Sequence, residues 1–244
     1  MSKSPKLIDT LLVSDVHLGS PLAMARELHH LLSTTTFNRL VLLGDIFADL
    51  NFRRLTKEHW KLISLIRKLS NPKRGVEVVW VEGNHDIGFT QVMENLIGVK
   101  VYQQYTWNWN GKKCVAMHGH QFDGLYAENK LPWFNGLITE IHICLQRLGI
   151  LKKWLPTILD KFHTHYGRLT KKVAEGAFHV ATEEQADYVF CGHTHDPYHE
   201  TRDGVEYWNA GCWVGDAASY LTLDLSENCV KSFTAARTVE TSAT

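Results

Sequence analysis

Apolar residues in this chain fall into short runs whose ends are chemically alike. Leu11-Leu12-Val13-Ser14 runs into Asp15-Val16-His17, and Val41-Leu42-Leu43 runs into Gly44-Asp45. Val78-Val79-Trp80-Val81-Glu82 meets Gly83-Asn84-His85-Asp86, and Cys114-Val115-Ala116-Met117 meets His118-Gly119-His120. Tyr188-Val189-Phe190-Cys191 meets Gly192-His193-Thr194-His195. Runs of this length read as buried strands, and each delivers Asp, Asn or His at its C-terminal end.

Between the runs the period changes. Strands are expected over Leu7 to Ser14 and Arg39 to Gly44. Ser20-Pro21 is expected to open a helix carrying Leu22, Leu28, Leu31 and Leu32. A helix from about Thr56 to Leu69 places Trp60, Ile63, Ile66 and Leu69 at helical spacing; Asn71-Pro72 stops it and Gly75 starts the next strand. A short helix, about Thr90 to Leu96, leads to Val99-Lys100-Val101-Tyr102. Asn110-Gly111 sits between β-like runs Tyr105 to Trp109 and Lys112 to Met117, a strong hairpin signal, and Asp203-Gly204 is a second. From Gln121 to about Ala186 strand signals vanish. This stretch reads as a helical insertion, with apolar faces at Phe134 to Leu148 and Ile150 to Phe162 (interrupted by Pro156), and a more polar helix over Leu169 to Glu183. Short β runs follow at Tyr207 to Ala210, Tyr220 to Leu225 and Val230 to Thr234. The chain therefore reads as one domain, 1–244, with an insertion at about 121–186.

Composition narrows the class. The 244 residues are 44% hydrophobic, enough for a substantial core. Basic and acidic residues balance at 26 each, which argues against nucleic acid as a partner. Five scattered cysteines without a Cys-x-x-Cys pair fit reduced thiols in the cytoplasm. The apolar run after the basic start is too short for a signal peptide, and no run approaches the roughly 18 residues of a membrane span.

The strand-end residues suit two divalent cations, which need oxygen and nitrogen ligands and one shared carboxylate. The candidates are Asp15, His17, Asp45, Asn84, His118, His193 and His195, all near strand ends on one edge of a sheet. The expected role of Asp45 is to bridge, each of its oxygens taking one cation.

Taken in order, the blocks Asp15-Val16-His17, Gly44-Asp45, Gly83-Asn84-His85-Asp86, His118-Gly119-His120 and Gly192-His193-Thr194-His195 resemble the calcineurin-like metallophosphoesterases. The resemblance implies an α/β (α+β) fold of four layers, two mixed sheets packed face to face with helices outside. It implies that Asp15, His17, Asp45 and His195 hold one metal, and Asp45, Asn84, His118 and His193 the other. Manganese is the first expectation, with iron, zinc or cobalt as substitutes. It further implies hydrolysis of a phosphate ester or pyrophosphate by metal-activated hydroxide, with His85 protonating the leaving group or stabilising the developing charge, and Asp86 orienting or charge-stabilising His85. His120 departs from relatives that carry Asp after His-Gly.

Within that family the chain looks like the UDP-diacylglucosamine hydrolase group. Its length, its insertion, Leu131-Pro132-Trp133-Phe134 and Asn209-Ala210-Gly211-Cys212-Trp213-Val214 carry the likeness, while those hydrolases have Arg where His85 stands. The implied substrate is a small phosphoester molecule, lipid-linked in that group, and the insertion is where peripheral contact with the inner membrane is expected. Alternatives are a phosphomonoesterase or phosphodiesterase on a small soluble substrate, and a metal-binding scaffold without turnover. Arg53 and Arg54 are candidates for phosphate contact; His163, His165, Arg168, Lys171 and Lys172 read as a solvated helix face. His29, His30, His59, His142, His179 and His199 read as surface or helix residues.

Overall fold

The computed structural model describes residues 8–49, 51–87, 90–123, 155–224 and 229–236. In chain order its strands are β1 (Ile8–Val13), β2 (Phe37–Leu42), β3 (Glu77–Val81), β4 (Val101–Tyr102), β5 (Gln104–Trp109), β6 (Lys112–Met117), β7 (Tyr188–Cys191), β8 (Tyr198–Arg202), β9 (Val205–Asn209), β10 (Ala217–Asp224) and β11 (Cys229–Ala236). The helices are α1 (Ala25–Thr34), α2 (Lys57–Leu69), α3 (Thr90–Ile97) and α4 (Leu155–Glu184).

Two mixed sheets result. One has the order β11-β10-β1-β2-β3-β4, with β1 to β4 parallel and β10 and β11 antiparallel. The other has the order β5-β6-β7-β9-β8, in which β6, β7 and β9 are parallel. The apolar runs are continuous because both faces of each central strand are covered. Leu12, Val41, Leu43, Val79 and Val81 point inward and meet Tyr105, Trp107, Cys114, Ala116, Tyr188 and Phe190 of the second sheet. Their neighbours Leu11, Val13, Leu40, Leu42 and Trp80 point outward onto α1, α2 and α3. On the far side Val115, Met117, Val189 and Cys191 meet Val173, Ala174, Ala177 and Ala181 of α4. The result is the expected four layers, helix, sheet, sheet, helix.

Both hairpins form. Trp109 pairs with Lys112 across Asn110 (φ 49°) and Gly111 (φ 77°), and Arg202 with Val205 across Asp203 (φ 50°) and Gly204 (φ 83°). Positive φ at both central residues gives a turn that matches strand twist.

Three local readings are revised. The helix after Pro21 begins only at Ala25; Ser20 and Leu22 lie in a turn, because the backbone there is held by Ser20 N–H donating to His17 O (3.0 Å) and Met24 N–H donating to Trp213 O (2.8 Å). Trp60 lies outside the core face of α2, which is Leu62, Ile63 and Ile66; its side chain is 45% exposed. His59 is buried rather than superficial. Its Nδ1 accepts from the amides of Thr56 (3.3 Å) and Gly19 (3.2 Å), while Thr56 Oγ accepts from His59 N–H, so an imidazole takes the usual Glu position of a capping box.

Residues 124–154 of the expected insertion, including Leu131-Pro132-Trp133-Phe134 and the Phe134 to Leu148 face, lie outside the described residues. Its last part is α4, which continues unbroken through Gly167, where the sequence pattern suggested two helices.

Trp107 carries the inter-sheet layer: it is buried and stacks between Tyr105 (5.4 Å) and Phe190 (5.6 Å). Trp107→Ala is expected to cost about 3–5 kcal/mol. Asn108→Ala, on the exposed face of the same strand, should stay within about 0.5 kcal/mol. Urea unfolding midpoints of the two variants measure the difference.

Candidate metal centre

Because β1, β2 and β3 are parallel, their C-terminal ends share one edge; β6 and β7 share another, and the two edges meet. Asp15 and His17 follow β1, Asp45 follows β2, Asn84 and His85 follow β3, His118 follows β6, and His193 and His195 follow β7. The loops continue the pairing of their strands: Asp15 N–H donates to Gly44 O (3.1 Å), His17 N–H to Asp45 O (3.0 Å) and Gly192 N–H to His118 O (3.0 Å). Five candidates adopt left-handed backbone: Asp15 (φ 51°), His17 (48°), Asp45 (51°), His193 (68°) and His195 (57°). Such residues cost about 1–3 kcal/mol each and persist where surroundings over-determine them. Two glycines make the convergence possible. A Cβ on Gly83 would collide with the Asp45 amide and carboxylate, and one on Gly192 with the Ser14 hydroxyl and Asp15 Oδ2.

Three groups of side chains place ligand atoms within 4.8 Å of one another: Asp15, His17 and His195; His17, Asp45 and His85; and Asp45, His118 and His193. Asp45 joins the last two, but through one oxygen. Its Oδ1 accepts the His85 amide (2.8 Å), and its Oδ2 lies 3.4 Å from His118 Nε2, 3.9 Å from His85 Nε2 and 4.0 Å from His17 Nε2. The two-oxygen bridge expected from the sequence thus becomes a single oxygen facing both groups. His195 Nε2 lies 3.0 Å from Asp15 Oδ1 and 3.2 Å from His17 Nε2. Asp15 Oδ2 accepts from His193 N–H (2.9 Å).

Second contacts aim the imidazoles. His118 Nδ1 sits 2.6 Å from Leu43 O and His85 Nδ1 2.7 Å from Ala48 O, so each Nδ1 carries the donated proton and each Nε2 is left facing the cluster. Buried Asn84 Oδ1 has no hydrogen-bond partner, and Asp15 Oδ1 and His118 Nε2 make no well-aligned hydrogen bond, meeting only the His195 imidazole (3.0 Å) and the Asp45 carboxylate (3.4 Å). Three shielded polar atoms left unsatisfied in one place are costly unless something binds them. They are an acceptor carboxylate, an amide oxygen and an imidazole nitrogen, the donor set that divalent cations take. The residues fit such an ion.

The field around these atoms favours positive charge. Burial would raise the Asp15 carboxyl, but the charges of His195 and His118 outweigh it and hold it well below the usual carboxylate range. Asp45 is lowered in the same way, burial being overcome chiefly by His118 and then His85. Burial would lower His118, yet Asp45 and Asp15 lift it to about 10.

Asp86 takes a different part from the one expected. Its carboxylate accepts from Gly83 N–H (3.2 Å), Phe47 N–H (3.3 Å), Ile46 N–H (3.4 Å) and Trp80 Nε1–H (3.4 Å). It ties the Asp45 loop to the Asn84 loop, whereas His85 is oriented by Ala48. Burial and the Asp45 charge raise Asp86 to about 7. His120 lies beside the cluster, its ring 5.5 Å from His118, and burial with the His118 charge lowers it to about 4. One residue escaped the sequence reading. Asp123, mostly buried, places Oδ2 3.3 Å from His193 Nε2. Its only local signal is its place five residues after His118, behind a 3-10 turn. Arg54 pairs with Asp49, Arg53 is exposed, and Arg168, Lys171 and Lys172 face solvent. His163 and His165 lie where side chains are not described. Asn209, from the block near the end, donates to Gly192 O (2.6 Å), and Trp213 N–H donates to Asp15 O (3.0 Å), so this block braces the site loops.

A family model described as Calcineurin-like phosphoesterase matches residues 8–197. Solved structures with the same fold include a novel archaeal phosphodiesterase, 14% identical at a TM-score of 0.50 over 93% of this chain and 99% of that one. YfcE, a phosphoesterase from E. coli, is 18% identical at 0.48 over 94% and 99%. Wild-type Vps29 from Entamoeba histolytica, complexed with zinc, is 13% identical at 0.44 over 94% and 99%. At 14% identity the likeness to the archaeal phosphodiesterase is one of fold. No curated protein matches the chain.

Below pH 10 the metal-free His118 imidazole is mostly charged, so a cation at Nε2 must displace a proton. Manganese titrated into metal-free protein at pH 8 should release roughly one proton or more per chain, and uptake should tighten as pH rises. Calorimetry in buffers of different ionisation enthalpy reads the number. Asp45→Ala, which removes the oxygen common to two groups, should lose all bound metal by elemental analysis, where His17→Ala should keep part of it.

Proposed function

The chain belongs to the calcineurin-like phosphoesterase family, and on that premise we propose that it is a dinuclear metal-dependent hydrolase of phosphate esters or pyrophosphates. One observation carries the reading: Asp45 Oδ2 stands within 4.0 Å of imidazoles from the loops after β1, β3 and β6, beside three buried polar atoms that make no aligned hydrogen bond. Asp15, His17, Asp45 and His195 would hold one cation, and Asp45, Asn84, His118 and His193 the other. When bound, such ions polarise phosphoryl oxygens and acidify water.

The chain's own groups account for the rest. Asp45 Oδ1 is anchored by the His85 amide, which leaves Oδ2 free for the site. Leu43 O and Ala48 O fix the ring planes of His118 and His85 before any ligand arrives, so little reorganisation is needed at the reacting centre. His85 Nε2 is the nitrogen that can carry a proton towards a leaving oxygen, because Nδ1 is committed to Ala48 O. Asp86 acts on His85 only through the loop that it pins. The complete ligand set supports an enzyme over a scaffold that has lost turnover.

For the substrate, the reading extends to a nucleotide-diphosphate lipid of the UDP-diacylglucosamine type. The Asn209 to Val214 block supports it; residues 134–154 of the apolar faces in the insertion lie outside the described residues. A turnover screen with Mn²⁺, setting such a lipid against simple monoesters and diesters, tests the extension. Preference for a soluble monoester or diester would replace it with a phosphatase or phosphodiesterase of small molecules.

Removal of metal by a strong chelator should abolish hydrolysis, and manganese should restore it. His85→Ala should keep both metals and lower turnover by about 10²–10⁴-fold on an ester with a poor leaving group. The loss should be much smaller on a nitrophenyl ester, whose leaving group needs no proton. Equal losses on the two substrates would remove the proton-donor role from His85.

A further inference from the structure

The neutral total charge hides an uneven surface. Residues 51–75 hold eight lysines and arginines and a single acid, Glu58, whereas the whole chain holds 26 of each sign. Four of the eight, Lys57, Lys61, Arg67 and Lys68, face outward along one helix. The exposed stripe of α2 is Lys57, Trp60, Lys61, Ser64, Arg67 and Lys68, at helical spacing, with the opposite face buried through His59, Leu62, Ile63 and Ile66. Lys73 and Arg74 extend the stripe beyond the C-terminus of α2, and exposed Arg26 and His30 of α1 flank it. Glu58 lies 2.9 Å from Lys61 Nζ, an exposed pair of small effect.

Trp60 stands in the middle of this stripe, 45% exposed. A tryptophan ring among lysines and arginines on a helix of about 20 Å combines the two features that interfacial helices use: cations for anionic headgroups and an amphipathic ring for the boundary layer. Single-stranded nucleic acid is served instead by a series of stacking rings, and this face offers one. We propose that the outer face of α2 docks the protein on an anionic lipid bilayer. Contact is electrostatic first: clustered Lys and Arg lie over headgroup phosphates and carboxylates, while Trp60 enters the interface. Because His59 accepts the Gly19 amide two residues beyond His17, the N-terminal end of the docking face is tied to a loop of the metal centre. Docking would therefore hold the site near the lipid surface. The proposal stands on the charge and exposure of α2 and is independent of the substrate.

Flotation of the full chain with phosphatidylcholine vesicles, with and without phosphatidylserine, tests it. Binding is expected only to the anionic vesicles and should fall steeply with added salt. Lys57→Gln, Lys61→Gln and Lys68→Gln combined should weaken it on the order of 100-fold. Trp60→Ala should weaken binding while leaving its salt dependence unchanged. None of these residues belongs to the metal centre, so hydrolysis of a soluble nitrophenyl ester and the circular dichroism spectrum should match wild type. Equal binding to neutral and anionic vesicles, full binding by the triple variant, or capture of RNA without capture of vesicles would each overturn the assignment. The wild-type lipid and salt series decides the matter even if the triple variant misfolds.

Discussion

Two carboxylates held out of water set the terms for the rest of this structure. Asp15 is 0% and Asp45 2% exposed, at the edge where two sheets meet. Taking an ionised carboxylate out of water costs several kcal/mol unless it is paired and hydrogen-bonded. The surroundings answer that cost. Backbone amides of His193 and His85 bind one oxygen of each acid, and imidazoles from four strand ends crowd the others. The net effect is a pocket of negative field that holds a proton on His118 when no cation is present. Under the proposed function a cation is the more complete answer, because it would also engage Asn84 Oδ1, a buried oxygen without a hydrogen-bond partner.

Holding those groups so close requires unusual backbone. Five site residues sit in left-handed conformation, and Gly83 and Gly192 give way to carboxylates that a side chain would displace. This strain is supported by the sheets: the Asp15 and Asp45 loops are hydrogen-bonded to each other as if β1 and β2 continued. Asp86 joins the Asp45 and Asn84 loops through three amides and the Trp80 indole, and Asn209 fastens the loop before His193. Stability and site geometry are therefore the same set of contacts, and the strand ends are where both are concentrated.

The helical layers divide differently. α4 packs Val173, Ala174, Ala177 and Ala181 closely on the second sheet, small residues that let the helix approach. α2 covers the first sheet with Leu62, Ile63 and Ile66 and turns a cationic face outward. Surface charge so arranged bears on association rather than on the fold.

The succession of most strands along the chain, the two hairpins and the place of the seven candidates at strand ends were legible in the sequence. Each is a local property: an apolar run, an Asn-Gly pair, an acid or imidazole directly after a run. The inward and outward alternation of Leu11 with Leu12, or Val115 with Ala116, follows from strand geometry once both faces are covered. Other features were decided only by the tertiary structure. Which oxygen of Asp45 faces the site depends on an amide 40 residues away, and the Asp15 contact with His193 spans 178 residues. Asp86 parts company with its neighbour His85 because adjacent residues leave the backbone in different directions and the loops that receive them come from elsewhere. Trp60 and His59 exchange their expected places for the same reason: helical spacing marks a face, but the sheet beneath decides how far round that face is buried. Asp123 has no motif at all, and its approach to His193 exists because a turn after β6 and the end of β7 are brought side by side by parallel pairing. Local chemistry is written along the chain, whereas distances between remote segments arise only when the sheets close on each other.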